Sequence, residues 1–206
     1  RGAQRCARGA SAVWPAGAAA GAPPRRLLLG RGAEALHGGG LERSALGGGL
    51  GGVFLGIASP EFAQLLAASP VGGSVYAATG SSLSIASGRL SYVLGLHGPC
   101  VSCDTACSAA LVALHGALRA LQLAETNAAL AAGVHLMLAP LTASRFAAAG
   151  MTSALGRSHT FDARADGYAR GEACGGMVVR SASSDDAPSG LVLCGSAVRQ
   201  DGPGRS

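Results

Sequence analysis

The apolar residues of this chain fall into short continuous runs and into longer stretches with helical spacing. Continuous apolar runs bounded by turn residues predict buried β-strands, here at residues 52–57, 128–134, 175–180 and 191–198. Residues 100–103 are predicted to form a further short extended segment. The stretches with helical spacing lie between these strands, and such an alternation predicts an α/β fold.

Helices are predicted over five stretches of the chain. These are residues 33–46, 62–68, 81–94 with a bend near Gly88, 106–123 and 144–149. The second helix follows Ser59 as its cap and Pro60 in its first turn. In the fourth, leucines recur with helical spacing and the opposite face carries alanine and glycine, so the helix is apolar nearly all round. Such a helix is expected to be buried on every side.

The first 32 residues differ from the rest of the chain. They are rich in Arg, Ala and Gly, contain three prolines and lack acidic residues, so we interpret residues 1–32 as irregular and 33–206 as the folded region. The sequence has no run of the ~18 apolar residues that a membrane-spanning helix requires. The chain begins with Arg1, and its first segment is compatible with a linker or a transit peptide. A cytoplasmic location is expected, with the plastid as the alternative.

Composition and charge narrow the classes of partner. Hydrophobic residues make up 49% of the chain and aromatic residues only 4%, so the core must be built from Ala, Leu, Val and Gly. The net charge is +5, but the arginines are scattered and form no stripe of the kind that binds phosphates, so no nucleic-acid partner is expected. The cysteines do not form a disulfide pattern, which favours a reducing compartment.

The most informative residue is Cys107, which comes after a predicted strand and in the first turn of a predicted helix. A helix N-terminus offers free backbone N–H groups and a partial positive charge, which favour a reactive thiolate. The alternative is an inert, buried cysteine. Asp104 is expected to brace the turn by accepting backbone N–H bonds, and Ser108 to act likewise.

A metal site is a rival interpretation of the same stretch. Cys100, Cys103 and Cys107 have ligand-like spacing, with His97 and His115 nearby. However, the third cysteine begins a long apolar helix, and His115 lies about 12 Å farther along the helix axis. The two side chains cannot share an ion, so no metal is expected.

Two stretches of the sequence resemble motifs of a known enzyme family. Residues 88–99 (GRLSYVLGLHGP) and 104–108 (DTACS) are similar to the active-site signature of β-ketoacyl synthases. A second block of the same family resembles residues 156–172 (GRSHTFDARADGYARGE). The resemblance extends over roughly residues 33–202 and is closest to the ketosynthase domains of multidomain polyketide synthases, relatives of the fatty-acid synthases.

The resemblance implies a thiolase-like α/β fold of two similar βαβαβ halves, of which this chain holds mainly the N-terminal half, incomplete. It also implies a mechanism. Cys107 would accept an acyl group from a phosphopantetheine thioester, and a malonyl-type thioester would then be decarboxylated and attack the acyl group in a Claisen condensation. The implied partner is an acyl carrier protein, which supplies the phosphopantetheine arm, so no cofactor is bound by the chain itself. A homodimer is implied for the complete enzyme, with the segment before Cys107 as its interface strand.

Further residue roles follow from the resemblance. Phe161, beside Asp162, resembles a gate at the acyl pocket, and Glu172 is expected to be structural, pairing with an arginine. The two histidine motifs of the family do not occur in this sequence. Acylation without condensation is therefore expected of this chain alone. Two alternatives remain open: acyl transfer without extension, and a degenerate, non-catalytic fragment that only dimerises or binds a carrier protein.

Overall fold

The structure is a computed structural model, which describes residues 22–41, 49–58, 61–181, 191–200 and 202–203. Its helices are, in chain order, α1 (Pro23–Gly38), α2 (Glu61–Ala67), α3 (Val75–Ser81), α4 (Leu83–Leu94), α5 (Ala109–Gln122) and α6 (Pro140–Ala148). Its strands are β1 (Gly51–Ile57), β2 (Cys100–Cys103), β3 (Ala128–His135) and β4 (Ala173–Arg180). A 3₁₀ turn, Ala106–Ser108, precedes α5.

The strands form one sheet in the order β2-β1-β3-β4. β1 runs parallel to β2 and β3, while β4 is antiparallel to β3. The carboxyl ends of β1, β2 and β3 therefore share one edge of the sheet. Because β4 runs the other way, the residues that precede it reach the same edge.

The two faces of the sheet have different cores. On one face, Val53, Leu55 and Ile57 of β1 pack with leucines of α1 and α4. On the other, Phe54 and the alanines of β3 pack against the alanines of α5. Large aliphatic side chains thus keep α1 and α4 away from the sheet, whereas small ones let α5 approach closely.

The N-terminal helix differs from the prediction, because residues 23–32 are helical rather than irregular. Pro23 and Pro24 occupy its first turn, where a missing N–H costs no hydrogen bond and the fixed φ of proline suits the helix. Leu28 and Leu36 then anchor it in the core. Residues 1–21 and 42–48 lie outside the described residues, so the predictions made for them remain predictions.

The helix predicted over residues 81–94 is interrupted at Ser82, between α3 and α4, and not near Gly88. Gly88 lies within the continuous helix α4. The guanidinium of Arg25, which is 5% exposed, donates to the carbonyls of Thr79 and Ser82. These carbonyls lie where α3 ends and α4 begins, so Arg25 stabilises the break. Burial, together with the charge of Arg89, lowers the pKa of Arg25 to about 10, which still leaves it positive at neutral pH.

Burial of α5 is one-sided, which corrects the prediction that it is buried all round. Ala109, Ala113, Ala117 and Ala120 are buried against the sheet, whereas Leu111 is 69% exposed. Gly56 and Gly133, beneath the first turn, leave space only for the helix backbone and Ala110. Of the leucines with helical spacing, Leu111 faces outward, whereas Leu114 packs against the alanine cluster.

The predicted strand at 191–198 is wrong, because residues 191–200 have no regular secondary structure. A strand needs a backbone partner, and the sheet of the described residues gives this segment none. It instead touches α5, where His115 Nδ1 and Ser196 Oγ are 2.8 Å apart. The other four predicted strands are confirmed, with ends that differ by up to two residues. Among the described residues, no helix is long and apolar enough to cross a membrane.

Candidate active site

Several polar and reactive side chains lie at the edge of the sheet where β1, β2 and β3 end. Cys107 follows β2, Glu61 follows β1, and residues 136–139 follow β3. Arg170 and Glu172, which precede β4, arrive at the same edge because β4 is antiparallel. In sheets of this kind, ligands bind outside the carboxyl ends of the parallel strands. This edge is therefore the candidate site.

The turn that carries Cys107 is closed by hydrogen bonds of its own residues. Asp104 Oδ1 accepts from Ala106 N at 2.9 Å, and Ser108 Oγ donates to the carbonyl of Thr105 at 2.8 Å. Ala106 has φ of +53°, a left-handed conformation that costs energy in a residue with a Cβ. This strained residue immediately precedes Cys107. The turn leaves the Cys107 side chain exposed at the start of α5.

Cys103, at the end of β2, is chemically different from Cys107. Burial raises the pKa of the Cys103 thiol, and the charge of Asp104 raises it further. Its Sγ donates to the carbonyl of Ala109, 3.5 Å away. At neutral pH Cys103 is a protonated structural thiol, and the accessible thiol of this turn is Cys107.

The strand geometry separates the cysteines that could have formed a metal site. Cys100 pairs with Val53 and Cys103 with Gly56, so their side chains lie on opposite faces of the sheet. They cannot converge on one ion. Among the described residues, no group of three or more His, Cys, Asp or Glu side chains is placed to hold a metal.

Two carboxylates hold the loop after β3. Glu61, which is 3% exposed, accepts hydrogen bonds from Leu138 N and from Ala139 N, the latter at 2.8 Å. Glu172 Oε1 accepts from Met137 N at 2.8 Å. Three consecutive backbone N–H groups therefore point at carboxylates. Ala139 is the cap residue of α6, so Glu61 binds the backbone N–H of the cap, as the glutamate of a capping box does, although Glu61 comes from another helix.

Arg170 completes this arrangement. Its Nη2 lies 3.3 Å from Glu61 Oε1, and its guanidinium lies over the ring of Phe146, 5.2 Å from the centroid. Burial raises the pKa of Glu61, but hydrogen bonds from Ala139, Leu138, Thr142 and Arg170 outweigh burial and hold it below its ordinary value. Glu61 is thus a carboxylate at neutral pH and ties α2, α6 and the approach to β4 together.

Comparison with known proteins decides the family. The family model for the N-terminal domain of β-ketoacyl synthases matches residues 3–185. The chain belongs to the β-ketoacyl synthase family. It is 45% identical over 193 residues to a phenolphthiocerol/phthiocerol polyketide synthase of Mycobacterium tuberculosis, covering 92% of this chain and 12% of that protein. It is 42% identical to a mycocerosic acid synthase-like polyketide synthase of Mycolicibacterium smegmatis, covering 90% of this chain and 9% of that protein.

Solved ketosynthase structures confirm the predicted α/β, thiolase-like fold. The ketosynthase from module 6 of the bacillaene synthase of Bacillus subtilis 168 matches with a TM-score of 0.70 and 36% identity, over 78% of this chain and 27% of that one. The oxazolomycin ketosynthase domain OzmH KS7 of Streptomyces albus JA3453 matches with a TM-score of 0.71 and 32% identity, over 78% and 28%. This β-ketoacyl synthase chain therefore spans about a quarter of a ketosynthase structure.

The resemblance stated from sequence is thus confirmed at the level of the family. The site residues named with it are placed by the structure in two regions. Asp104, Cys107 and Ser108 are together in the turn after β2. Phe161 is fully exposed, with φ of +62°. It lies in a loop whose two ends are joined by a hydrogen bond of 3.1 Å from Tyr168 N to the carbonyl of Met151. Its role as a gate therefore stays a prediction.

The roles of two acidic residues differ from what the sequence predicts. Sequence patterns assign no role to Glu61, and Glu172 binds the backbone N–H of Met137 where an arginine was expected. The signal in the sequence was the position of Glu61 in the first turn of α2, where the helix dipole favours a negative charge. Its partner Arg170 lies 109 residues away in sequence, so the pairing itself could not be predicted.

Proposed function

We propose that Cys107 accepts an acyl group from a phosphopantetheine thioester, as the first half-reaction of a polyketide-type ketosynthase. The observation that carries this proposal is the exposed Cys107 in a strained strand-to-helix turn at the carboxyl edge of the sheet, in a chain of this family. The thiolate of Cys107 attacks the thioester carbonyl carbon and forms a new C–S bond. The C–S bond to pantetheine breaks, and pantetheine leaves as the thiol after taking up the proton that Cys107 released.

The second half-reaction is proposed for a complete ketosynthase domain. There a malonyl-type thioester loses carbon dioxide, and the resulting carbanion attacks the acyl group on Cys107. The family's two histidine motifs, which assist this step, do not occur in the 206 residues, and the match spans only 27% of a solved ketosynthase chain. We therefore expect acylation but no condensation from this chain by itself.

The proposed partners follow from the same chemistry. An acyl carrier protein would present the phosphopantetheine arm to Cys107, so the chain needs no bound cofactor. A second copy of the domain would pair along β2, which within the described sheet contacts β1 on one side only and exposes Val101 at 45%. A Val101→Lys change that lowers the dimer fraction by sedimentation would support this interface, whereas an unchanged fraction would not. A cytoplasmic location stays a prediction, which cell fractionation would test.

Intact mass spectrometry tests the acylation directly. The chain is incubated with a short acyl-pantetheine thioester, and Cys107→Ala serves as the matched variant. One acyl adduct that disappears in Cys107→Ala supports the proposal. Absence of any adduct, with Cys107 no more reactive toward iodoacetamide than Cys6, would favour the degenerate, non-catalytic alternative.

A further inference from the structure

A row of small residues crosses three strands directly beneath the first turn of α5. Gly56 of β1 pairs with Cys103 of β2 on one side and with Gly133 of β3 on the other. Residues paired in this way point to the same face of the sheet. We refer to Cys103, Gly56 and Gly133 as the cross-strand row.

The first turn of α5 lies directly on the two glycines of this row. A Cβ added to Gly56 would lie 2.4 Å from both Ala109 C and Ala110 N. A Cβ added to Gly133 would lie 2.8 Å from the Cβ of Ala110. The first of these contacts is about 1 Å closer than the 3.4 Å at which ordinary van der Waals contact begins. The helix could not occupy its position if either strand carried a side chain here.

Cys103, the third residue of the row, also contacts the first turn of α5. Its backbone belongs to β2, and its Sγ donates to the carbonyl of Ala109 at 3.5 Å. The residues between Cys103 and Ala109 are the turn that carries Cys107. Both ends of this turn are therefore held on the cross-strand row, which supports the left-handed Ala106 inside it.

We propose that the cross-strand row positions Cys107 for acylation: Gly56 and Gly133 admit the helix backbone to the sheet, and the Cys103 thiol holds its first carbonyl. The three are positioning residues that act through the turn and do not touch the substrate. The proposal rests on the proposed function for its consequence, because a nucleophile misplaced by about 1 Å can react about a hundredfold more slowly.

The chain offers a matched control for the central glycine. Gly175 of β4 pairs with Gly133 and so continues the row by one strand, but a Cβ added to it meets nothing within 4 Å. Gly175→Ala thus makes the same chemical change in the same sheet without touching the helix. Any effect of Gly56→Ala that Gly175→Ala lacks comes from the contact with α5.

The test measures the rate at which iodoacetamide alkylates Cys107 across a pH series, resolved by peptide mass, in native buffer and in urea. We expect Gly56→Ala to bring the native alkylation rate of Cys107 toward the rate in urea across the pH series, with at least a tenfold change in rate. We expect Gly175→Ala to stay within about twofold of the unchanged chain. A role confined to stability would lower the urea midpoint and leave the native pH profile unchanged.

Cys103 supplies variants that introduce no clash, so the proposal remains testable if Gly56→Ala does not fold. Cys103→Ala removes the donor to Ala109 and is expected to slow Cys107, and Cys103→Ser, which keeps a donor, is expected to restore most of the rate. Equal native profiles for the unchanged chain and Cys103→Ala, or for Gly56→Ala and Gly175→Ala, would overturn the proposal. So would a Cys107 in the unchanged chain that reacts alike in native buffer and in urea.

A parallel incubation with an acyl-pantetheine thioester separates this proposal from the proposed function. If the unchanged chain takes up no acyl group while the alkylation profiles differ as expected, the positioning stands and the acylation is wrong. If the chain is acylated at Cys107 but Gly56→Ala and Gly175→Ala are acylated equally fast, the positioning is wrong and the acylation stands.

Discussion

Replacing Glu61 by alanine is the most informative test of how the active-site edge is held together. The change removes the acceptor of the Leu138 and Ala139 N–H groups and the ion-pair partner of Arg170, whose side chain is only 10% exposed. Leaving a buried charge without its partner costs about 3–5 kcal/mol. The two orphaned N–H groups add to this cost, but water that enters the space left by the side chain offsets part of it.

We therefore expect Glu61→Ala to lower the free energy of unfolding by about 3–5 kcal/mol, a large share of the ~5–15 kcal/mol typical of a domain. Urea unfolding followed by circular dichroism measures the change, and a constant slope shows that the midpoint reports stability. The matched control is Glu172→Ala, which removes an exposed carboxylate that accepts one hydrogen bond from Met137 N. Its expected cost is about 0.5–1.5 kcal/mol.

The free energy of unfolding at acid pH gives a second test of the role of Glu61. The folded state holds the pKa of Glu61 below its ordinary value, so its contribution is fully present above the unfolded pKa of about 4.3. That contribution is lost as the pH falls through the lower folded pKa. Glu61→Gln should therefore flatten the loss of stability below about pH 4.3. The reasoning is refuted if Glu61→Ala costs no more than Glu172→Ala.

Three further predictions concern other parts of the molecule. Arg25→Met should lower the free energy of unfolding in urea by about 1.5–3 kcal/mol, because it removes a charged donor to two carbonyls. The control Arg26→Met, at an exposed position, should change this free energy little. Peptide mapping after brief alkylation at pH 7.5 should find Cys107 modified before Cys103, since burial raises the pKa of Cys103; the reverse order would contradict this. Phe161→Ala should alter stability by less than about 0.5 kcal/mol because the ring is fully exposed, and a change in the preferred acyl length would support its role as a gate.

Features of the fold that depend on neighbouring residues were predictable from sequence. The apolar runs of β1 and β3, and the turn residues that bound them, specify buried strands because they need only local periodicity. The strand, turn and helix around Cys107 likewise follow from a short stretch of sequence. The match of residues 3–185 to the β-ketoacyl synthase family agrees with the motifs that carried the resemblance.

Features that depend on distant partners were predicted less well. The turn at Ser82 is stabilised by Arg25, which lies 57 residues earlier, so a helix break expected at the nearest glycine was misplaced. Residues 191–198 have strand-like composition, but they pair with no strand of the described sheet, and a strand requires a backbone partner. Glu61 and Arg170 each look like ordinary surface charges in sequence, and only the meeting of β1, β3 and β4 at one edge makes them a buried pair.

The sequence by itself determined the family, the α/β character and the identity of the candidate nucleophile, because each depends on contiguous motifs or on local periodicity. Only the tertiary structure decided which face of α5 is buried. Helical spacing marks both a leucine face and an alanine face, and the register that brings Gly56 beside Gly133 selects the alanines. The physical reason is space: Gly56 and Gly133 carry no side chains, so the first turn of α5 lies directly on the sheet, and Leu111 faces outward.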